Sequence, residues 1–244
     1  ISYKWLQEYF KEELPKPEEV ADCLSLKAFE VEGIEKVNTD AGEDYVIDVD
    51  VLPNRSHDCL SHEGVAKEIA IITGLEMKNG DQIVNEPNFE TNIEIKTEEK
   101  DCRRYIGCEV KNINITESPT ELKAKLQALG QKSINNLVDI TNIVMFEIGQ
   151  PMHAFDTDKL SGDEINIRKA KKGEQIKTLD NKEVELDPKI LLIADDSEPL
   201  ALAGIKGGKK AEVDTETKNI LLESANFNPV NVRKASKKTG IATD

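Results

Sequence analysis

The sequence predicts an α+β fold: a small N-terminal α/β domain followed by a mixed, largely antiparallel β-sheet domain with three helices. Short runs with strand periodicity recur through the second half, capped helical stretches separate some of them, and the two do not alternate as a parallel βαβ array requires. With 244 residues the chain is long enough for one large domain or two modest ones. A chain of this size buries roughly three quarters of its unfolded surface, enough for a real core. Its 38% apolar and 32% charged content, with 14 glycines and 9 prolines, excludes collagen-like, low-complexity and disordered classes.

Residues 1–76 read as the N-terminal domain. Ser2 can cap a helix carrying Trp5, Leu6 and Phe10, and Pro17 with Glu18 and Glu19 suits the first turn of a second helix. Over residues 45–52, Ile47, Val49 and Val51 share one face while Asp48 and Asp50 take the other, the pattern of a half-buried strand. Pro53-Asn54 ends it, and residues 60–73 read as a helix stopped by Gly74. Residues 77–96 are expected to link the domains, with a polar, turn-rich part at 77–91.

The second domain is expected over residues 97–244. Strand patterns recur at 92–96, 105–115, 165–169, 176–179, 184–186, 190–194 and 219–222, and Asp180-Asn181 tolerates the positive φ of a tight hairpin. Ser118-Pro119-Thr120-Glu121 reads as a capping box with an N1 proline, closed by Gly130. A second helix is expected from Ser133 to Gly149, with Ile134, Leu137, Thr141, Val144 and Ile148 on its apolar face. Asn228-Pro229 opens a third, which Gly240 ends.

Acidic residues outnumber basic ones by 47 to 32, a net charge of −15 that argues against a stand-alone DNA or RNA binder. Cys23, Cys59, Cys102 and Cys108 form no CxxC pair and read as reduced, mostly buried thiols of a cytoplasmic protein. No apolar run approaches the ~18 residues of a membrane span, and no leader pattern is visible. Opening on Ile1 and stopping at Asp244, the chain reads as an excised piece, truncated at its C-terminus.

Each chemical motif has a plain structural reading beside it. The cluster Gly204-Ile205-Lys206-Gly207-Gly208 lacks the spacing of a P-loop or a dinucleotide fingerprint. It is a tight turn, or a place where backbone amides approach a ligand. His57-x-Cys59-x-x-His62 lacks a fourth ligand, so no metal is expected; Asp58 is read instead as a helix cap with His62 on the first turn. There is no nucleophile elbow. The run Arg233-Lys234-x-x-Lys237-Lys238 is a solvated helix face or a local phosphate contact. His153, after the Gly149 stop, is a core histidine or a site residue at a helix exit.

Several blocks resemble one family. Asp139-Ile140-Thr141-Asn142-Ile143 with Gly149-Gln150-Pro151-Met152-His153-Ala154-Phe155-Asp156 is similar to a segment of the bacterial phenylalanyl-tRNA synthetase β subunit. So are Pro53-Asn54-Arg55, Asp58-Cys59-Leu60-Ser61-His62, residues 200–208, Leu221-Leu222-Glu223 and residues 240–244, in family order across nearly the whole chain. The resemblance implies an N-terminal domain followed by an editing module that hydrolyses mischarged tyrosyl-tRNA(Phe). It places the catalytic set at His153, Thr141, Asn142 and Thr243. Glu223 would accept from the tyrosine hydroxyl and the Gly204 amide donate to it; Gly207, Gly208 and Lys132 would complete the pocket wall. His153 would orient substrate or water, and Thr141, Asn142 and Thr243 would hold the terminal adenosine.

Implied partners are the tRNA(Phe) acceptor end, the α subunit and the rest of the β subunit in a heterotetramer, with no DNA and no membrane. No cofactor is implied for this chain; ATP and Mg would serve the holoenzyme. Family members usually insert an oligonucleotide-binding barrel where this chain has only residues 38–44, and usually carry Arg where this one has Lys132, which loses bidentate geometry. Those departures favour an alternative, a structural or subunit-assembly module that has lost editing.

Overall fold

The structure, a computed structural model, describes residues 1–78, 80, 86–97 and 100–241. The chain divides into two compact units, Ile1–Asn85 with Thr116–Pro151, and Glu86–Ile115 with Met152–Asp244.

The first unit contains helices α1 (Tyr3–Glu8), α2 (Pro17–Lys27), α3 (Ser56–Cys59), α4 (His62–Thr73), α5 (Thr120–Ala128) and α6 (Asn136–Ile148), with a hairpin of β1 (Glu30–Thr39) and β2 (Gly42–Asp50). As expected, the Ser2 hydroxyl accepts from the Trp5 amide, Pro17 opens α2, and α4 stops at Gly74 in the left-handed region. The cap of α4 is Ser61, whose hydroxyl accepts from the Gly64 amide, and not Asp58, which Arg55 holds in a bidentate ion pair. Leu6, Phe10, Val20, Leu24, Ile47, Val65 and Ile69 form the main core.

β1 carries no strand signal in the sequence because it is mostly exposed and its apolar residues, Val31, Ile34 and Val37, fall three apart instead of alternating, with a bulge between Val31 and Gly33. Its antiparallel register with β2 runs from Glu30↔Asp50 to Thr39↔Gly42. Residues 38–44 are thus the tip of a continuous hairpin.

α5 and α6, which lie within the expected 97–244 domain, belong to the first compact unit. The reason is packing: Leu126 of α5 and Ile143 of α6 bury against Trp5 of α1. Ser118 and Ser133 do not cap helices either. Both hydroxyls donate to the fully buried Asp139 carboxylate at 2.5 Å, joined by the Ile134 amide at 2.9 Å. That clamp holds residues 133–134 out of the helix, so α6 starts at Asn136 with Asn135 accepting from the Val138 amide. Ile134 is consequently exposed, Ile148 at the far end of α6 is exposed as well, and the buried residues are Leu137, Asp139, Thr141 and Ile143.

The second unit begins with β3 (Glu94–Thr97), so the end of the expected linker is a strand; residues 79 and 81–85 of it lie outside the described residues. After β4 (Cys102–Val110) the chain returns in β5 (Met152–Asp156), followed by β6 (Glu164–Lys169), β7 (Gln175–Lys177), β8 (Glu183–Glu185), β9 (Leu191–Ala194), β10 (Pro199–Leu202), β11 (Lys206–Gly207), β12 (Ile220–Phe227) and helix α7 (Pro229–Thr239). They form a five-stranded sheet ordered β11-β10-β9-β6-β3, a three-stranded sheet β4-β12-β5 and the hairpin β7-β8. Among the described residues only β3 pairs in parallel, with β6. The hairpin turns at Asn181 with φ 62°, as its sequence requires. Phe155, Ile165, Ile167, Ile193 and Leu221 are central to the larger core, and Ile176, Leu192, Leu202 and Ala235 to a smaller one.

β5, β10 and β11 escape the sequence reading: β5 contains a histidine and an aspartate, β10 opens on a proline, and β11 is two residues of the glycine turn. Of the thiols, Cys59 and Cys102 are buried while Cys108 is exposed. Among the described residues no helix is long and apolar enough to cross a membrane.

Candidate functional site

β12 is the middle strand of its sheet and carries Glu223, whose Cα partners are His153 on β5 and Gly107 on β4. Residues directly opposed in antiparallel strands present their side chains on one face. Glu223 and His153 therefore stand side by side on the same surface, with Leu221 two residues back along β12 and Phe155 opposite it. The face belongs to the core, and Glu223 is only 7% exposed.

Burial sets the electrostatics of this pair. Removing water disfavours the carboxylate, so the Glu223 carboxyl is pushed up to about 7, against a smaller opposing effect from a hydrogen bond with Tyr105. That bond is made by the Tyr105 hydroxyl, donating to Glu223 Oε2 at 3.3 Å. Desolvation acts in the opposite sense on an imidazole and pulls His153 down to about 4. At neutral pH the site thus holds a neutral imidazole beside a carboxyl poised between its two forms.

The imidazole is held by shape. It meets Phe155 edge-on, with centroids 4.7 Å apart and an interplanar angle of 74°. On another side it lies over Gly207, where an added Cβ would sit 2.7 Å from Cε1 and 2.9 Å from Nε2. Among the described residues the ring makes no hydrogen bond, which leaves its nitrogens available to a ligand or water.

The glycine cluster forms a turn, the first of its sequence readings. Gly204 has φ +69°, the left-handed conformation of a turn, and is exposed, with Val232 and Phe227 closing against its Cα. At Gly208 a Cβ would meet the Leu200 carbonyl at 2.6 Å, so this glycine is needed for strand pairing.

Of the sequence-predicted residues, the structure brings together His153, Gly207 and Glu223. Thr141 and Asn142 lie on α6 of the other unit, where the Thr141 hydroxyl donates to the Val138 carbonyl at 2.8 Å. Lys132 is exposed in the same unit, ahead of α6. Thr243 falls outside the described residues. Sequence reasoning missed Tyr105. It is visible only through the register, which places Tyr105 opposite Ala225 and within reach of Glu223.

The other group with ligand chemistry lies in the first unit. Asp58, Cys59 and Glu68 offer ligand atoms within 4.8 Å of one another. The Arg55 guanidinium donates to all three, so a protein cation already fills their midst. Burial pushes the Cys59 thiol up to about 11, away from the thiolate that binds metals. His62 turns inward, with Nε2 accepting from the Ser2 amide at 3.1 Å and Nδ1 facing the Phe146 carbonyl at 2.8 Å.

The sequence profile of the B3/4 domain matches residues 101–244. The phenylalanine–tRNA ligase beta subunit of Aquifex aeolicus is 50% identical over 214 residues, covering 86% of this chain and 27% of that one. The corresponding subunit of Carboxydothermus hydrogenoformans is 46% identical over 204 residues, covering 83% and 25%. The chain thus spans about a quarter of the length of these relatives. Among solved structures, an N-terminal fragment of the phenylalanyl-tRNA synthetase beta subunit from Pyrococcus horikoshii superposes with a TM-score of 0.51 at 18% identity, over 98% of this chain and 73% of that one, a likeness of fold. The chain belongs to the B3/4 domain family, as a module of the phenylalanine–tRNA ligase beta-subunit kind.

Proposed function

We propose that this module hydrolyses the ester of tyrosine wrongly attached to tRNA(Phe), correcting a ligase that attaches phenylalanine. The observation that carries the reading is the buried Glu223 carboxyl directly across the strand pair from a neutral His153. Tyrosine differs from phenylalanine by one phenolic hydroxyl. A tyrosine ring entering this face can donate that hydroxyl to Glu223, whereas phenylalanine leaves the desolvated carboxyl with the Tyr105 hydrogen bond alone and its other oxygen unmatched. An orphaned buried group costs about 1–3 kcal/mol. Since about 1.4 kcal/mol is tenfold, selectivity on the order of 10- to 100-fold follows from this contact.

His153 supplies the hydrolytic half. A neutral imidazole nitrogen can accept a hydrogen bond from water and aim its oxygen at the ester carbonyl carbon. Water adds to that carbon, the bond to the ribose oxygen breaks, and a proton passes to the departing oxygen, giving tyrosine and free tRNA. With its acidity pulled down to about 4, His153 is a weak base that stays neutral throughout the physiological range. Orientation of water suits it better than full proton abstraction.

A second reading, a subunit-assembly module without hydrolysis, is favoured by one observation: Tyr105 already donates a phenolic hydroxyl to Glu223. Incubating the chain with tyrosyl-tRNA(Phe) and with phenylalanyl-tRNA(Phe) separates the two. Tyrosine release at least ~10-fold faster than phenylalanine release supports the deacylase. Release at the spontaneous rate for both leaves the assembly module.

A further inference from the structure

We infer that the exposed face of α7 is an RNA-backbone contact surface, on which Arg233, Lys234 and Lys237 bind phosphates of the tRNA stem leading into the Glu223 site. The inference rests on the deacylase reading for the identity of the polyanion.

α7 is anomalous within this chain. Across 244 residues with 47 acidic side chains, its eleven positions hold four cations and not one carboxylate. α2, α4, α5 and α6, the other helices of eight or more residues, each carry at least one Asp or Glu. Among the described residues, Lys238 is the one cation of the four with an ion pair, to Asp187. Arg233, Lys234 and Lys237 are exposed and have no ion-pair partner among the described residues. Lys237 lies four residues after Arg233 and three after Lys234, so it neighbours both on the helix surface. The opposite face is anchored, with Ala235 buried in the smaller core.

Position in the fold connects this face to the site. α7 follows β12 directly, with Asn228 capping the helix through the Val230 amide at 3.0 Å. Val232 sits against Gly204, where an added Cβ would lie 3.0 Å from its Cγ2, so the helix borders the glycine turn. The Asn228 amide donates to the Asp101 carbonyl at 2.7 Å, which sets the start of β4 beside the start of α7. Arg103 and Arg104 follow there, both exposed and also without an ion pair among the described residues. On a body of net charge −15, unpaired cations gathered at one place raise the local potential where an anionic chain can approach, while the remainder repels it. A polyanion fits better than a small anion, because the charges are spread along a helix instead of converging on a point.

The test uses a tRNA(Phe) transcript and the 244-residue chain. Binding is measured across a salt series for the wild type and for the triple variant Arg233→Gln, Lys234→Gln, Lys237→Gln. A control triple, Lys171→Gln, Lys172→Gln, Lys177→Gln, makes the same charge change on exposed lysines of the same unit. Each lost phosphate contact removes about 0.7–0.9 from the slope of log K against log salt. The α7 variant should therefore lose roughly 2–3 from that slope and at least ~10-fold in affinity near 0.1 M salt, with the control within about twofold of wild type. An unchanged slope, equal losses in the two triples, or no binding by the wild type at low salt each overturns the inference. Hydrolysis of 3′-O-tyrosyl adenosine, which has no RNA backbone, is read on the wild type; its absence counts against the deacylase reading and leaves the binding result standing.

Discussion

Two histidines in this chain occupy opposite kinds of surroundings. His62 in the first unit stacks on Trp5 with centroids 4.0 Å apart, accepts from the Ser2 amide and faces the Phe146 carbonyl. Because Nε2 accepts, Nδ1 carries the proton and donates, so the tautomer is fixed and the ring is fully used. Burial pulls His62 down to about 3. His153 in the second unit is likewise kept neutral by burial, yet among the described residues it makes packing contacts alone, with Phe155 and Gly207. The difference lies in how the rings are used: His62 spends both nitrogens on joining α1, α4 and α6, while the nitrogens of His153 are engaged by none of the described residues.

The largest expected effect breaks the structural half of this comparison. His62→Ala orphans a buried amide and a buried carbonyl at about 1–3 kcal/mol each and loses a stacked pair worth about 0.5–1.5 kcal/mol. Urea unfolding should show a loss of about 3–5 kcal/mol, against under ~1 kcal/mol for His153→Ala, which should instead slow tyrosine release. Equal destabilisation by the two would remove the distinction.

Next in size is the pH dependence built into Glu223. Its folded acidity lies near 7 against an ordinary 4.5, so the folded state binds its proton more tightly than the unfolded chain. For a carboxyl shifted upward, stability is highest below pH 4.5 and falls as the pH rises through 7. The loss is on the order of 3 kcal/mol. Thermal or urea unfolding of Glu223→Gln across pH 4–8 should lack that slope, and a parallel profile would place the carboxyl in solvent.

A smaller effect comes from shape. Gly207→Ala would push a methyl into the His153 ring. Overpacking of this kind typically costs about 1–3 kcal/mol, and a ring displaced by ~1 Å can lose up to ~100-fold in rate. The signature is a fall in the rate of tyrosine release larger than the fall in stability accounts for, and an unaltered rate contradicts the placement of His153.

Smallest is Tyr105→Phe. The hydroxyl favours the ionised carboxyl of Glu223, so its removal should raise that group further. Carbon-detected NMR titration of the Glu223 carboxyl reads the direction without reference to activity.

Legibility differed by element for physical reasons. Caps and stops were readable where one residue type does a local job: Ser2, Pro17, Gly74, Gly149 and Asn228 all act as their sequence context requires. Ser118 and Ser133 misled because a buried carboxylate, Asp139, competes for the same hydroxyls, and nothing local announces it. β1 was invisible because its exposed, charged pattern lacks the apolar alternation that marks a half-buried strand. Residues 116–151 pack in the first compact unit although they follow β4 in the chain, since chain order is not packing order.

In the site, His153, Gly207 and Glu223 were named from motif resemblance, and the register β5-β12 explains why residues so distant in sequence meet. Tyr105 could emerge only from that register. Thr141, Asn142 and Lys132 belong to the other unit, and Thr243 lies outside the described residues.

The most direct test of the central claim is the ratio of tyrosine to phenylalanine release from the corresponding aminoacyl-tRNA(Phe), measured for the wild-type chain and for Glu223→Gln. A wild-type ratio of at least ~10 that falls toward one in the variant is the predicted result. A ratio that the substitution leaves unchanged would contradict the account, because selectivity would then owe nothing to the buried carboxyl.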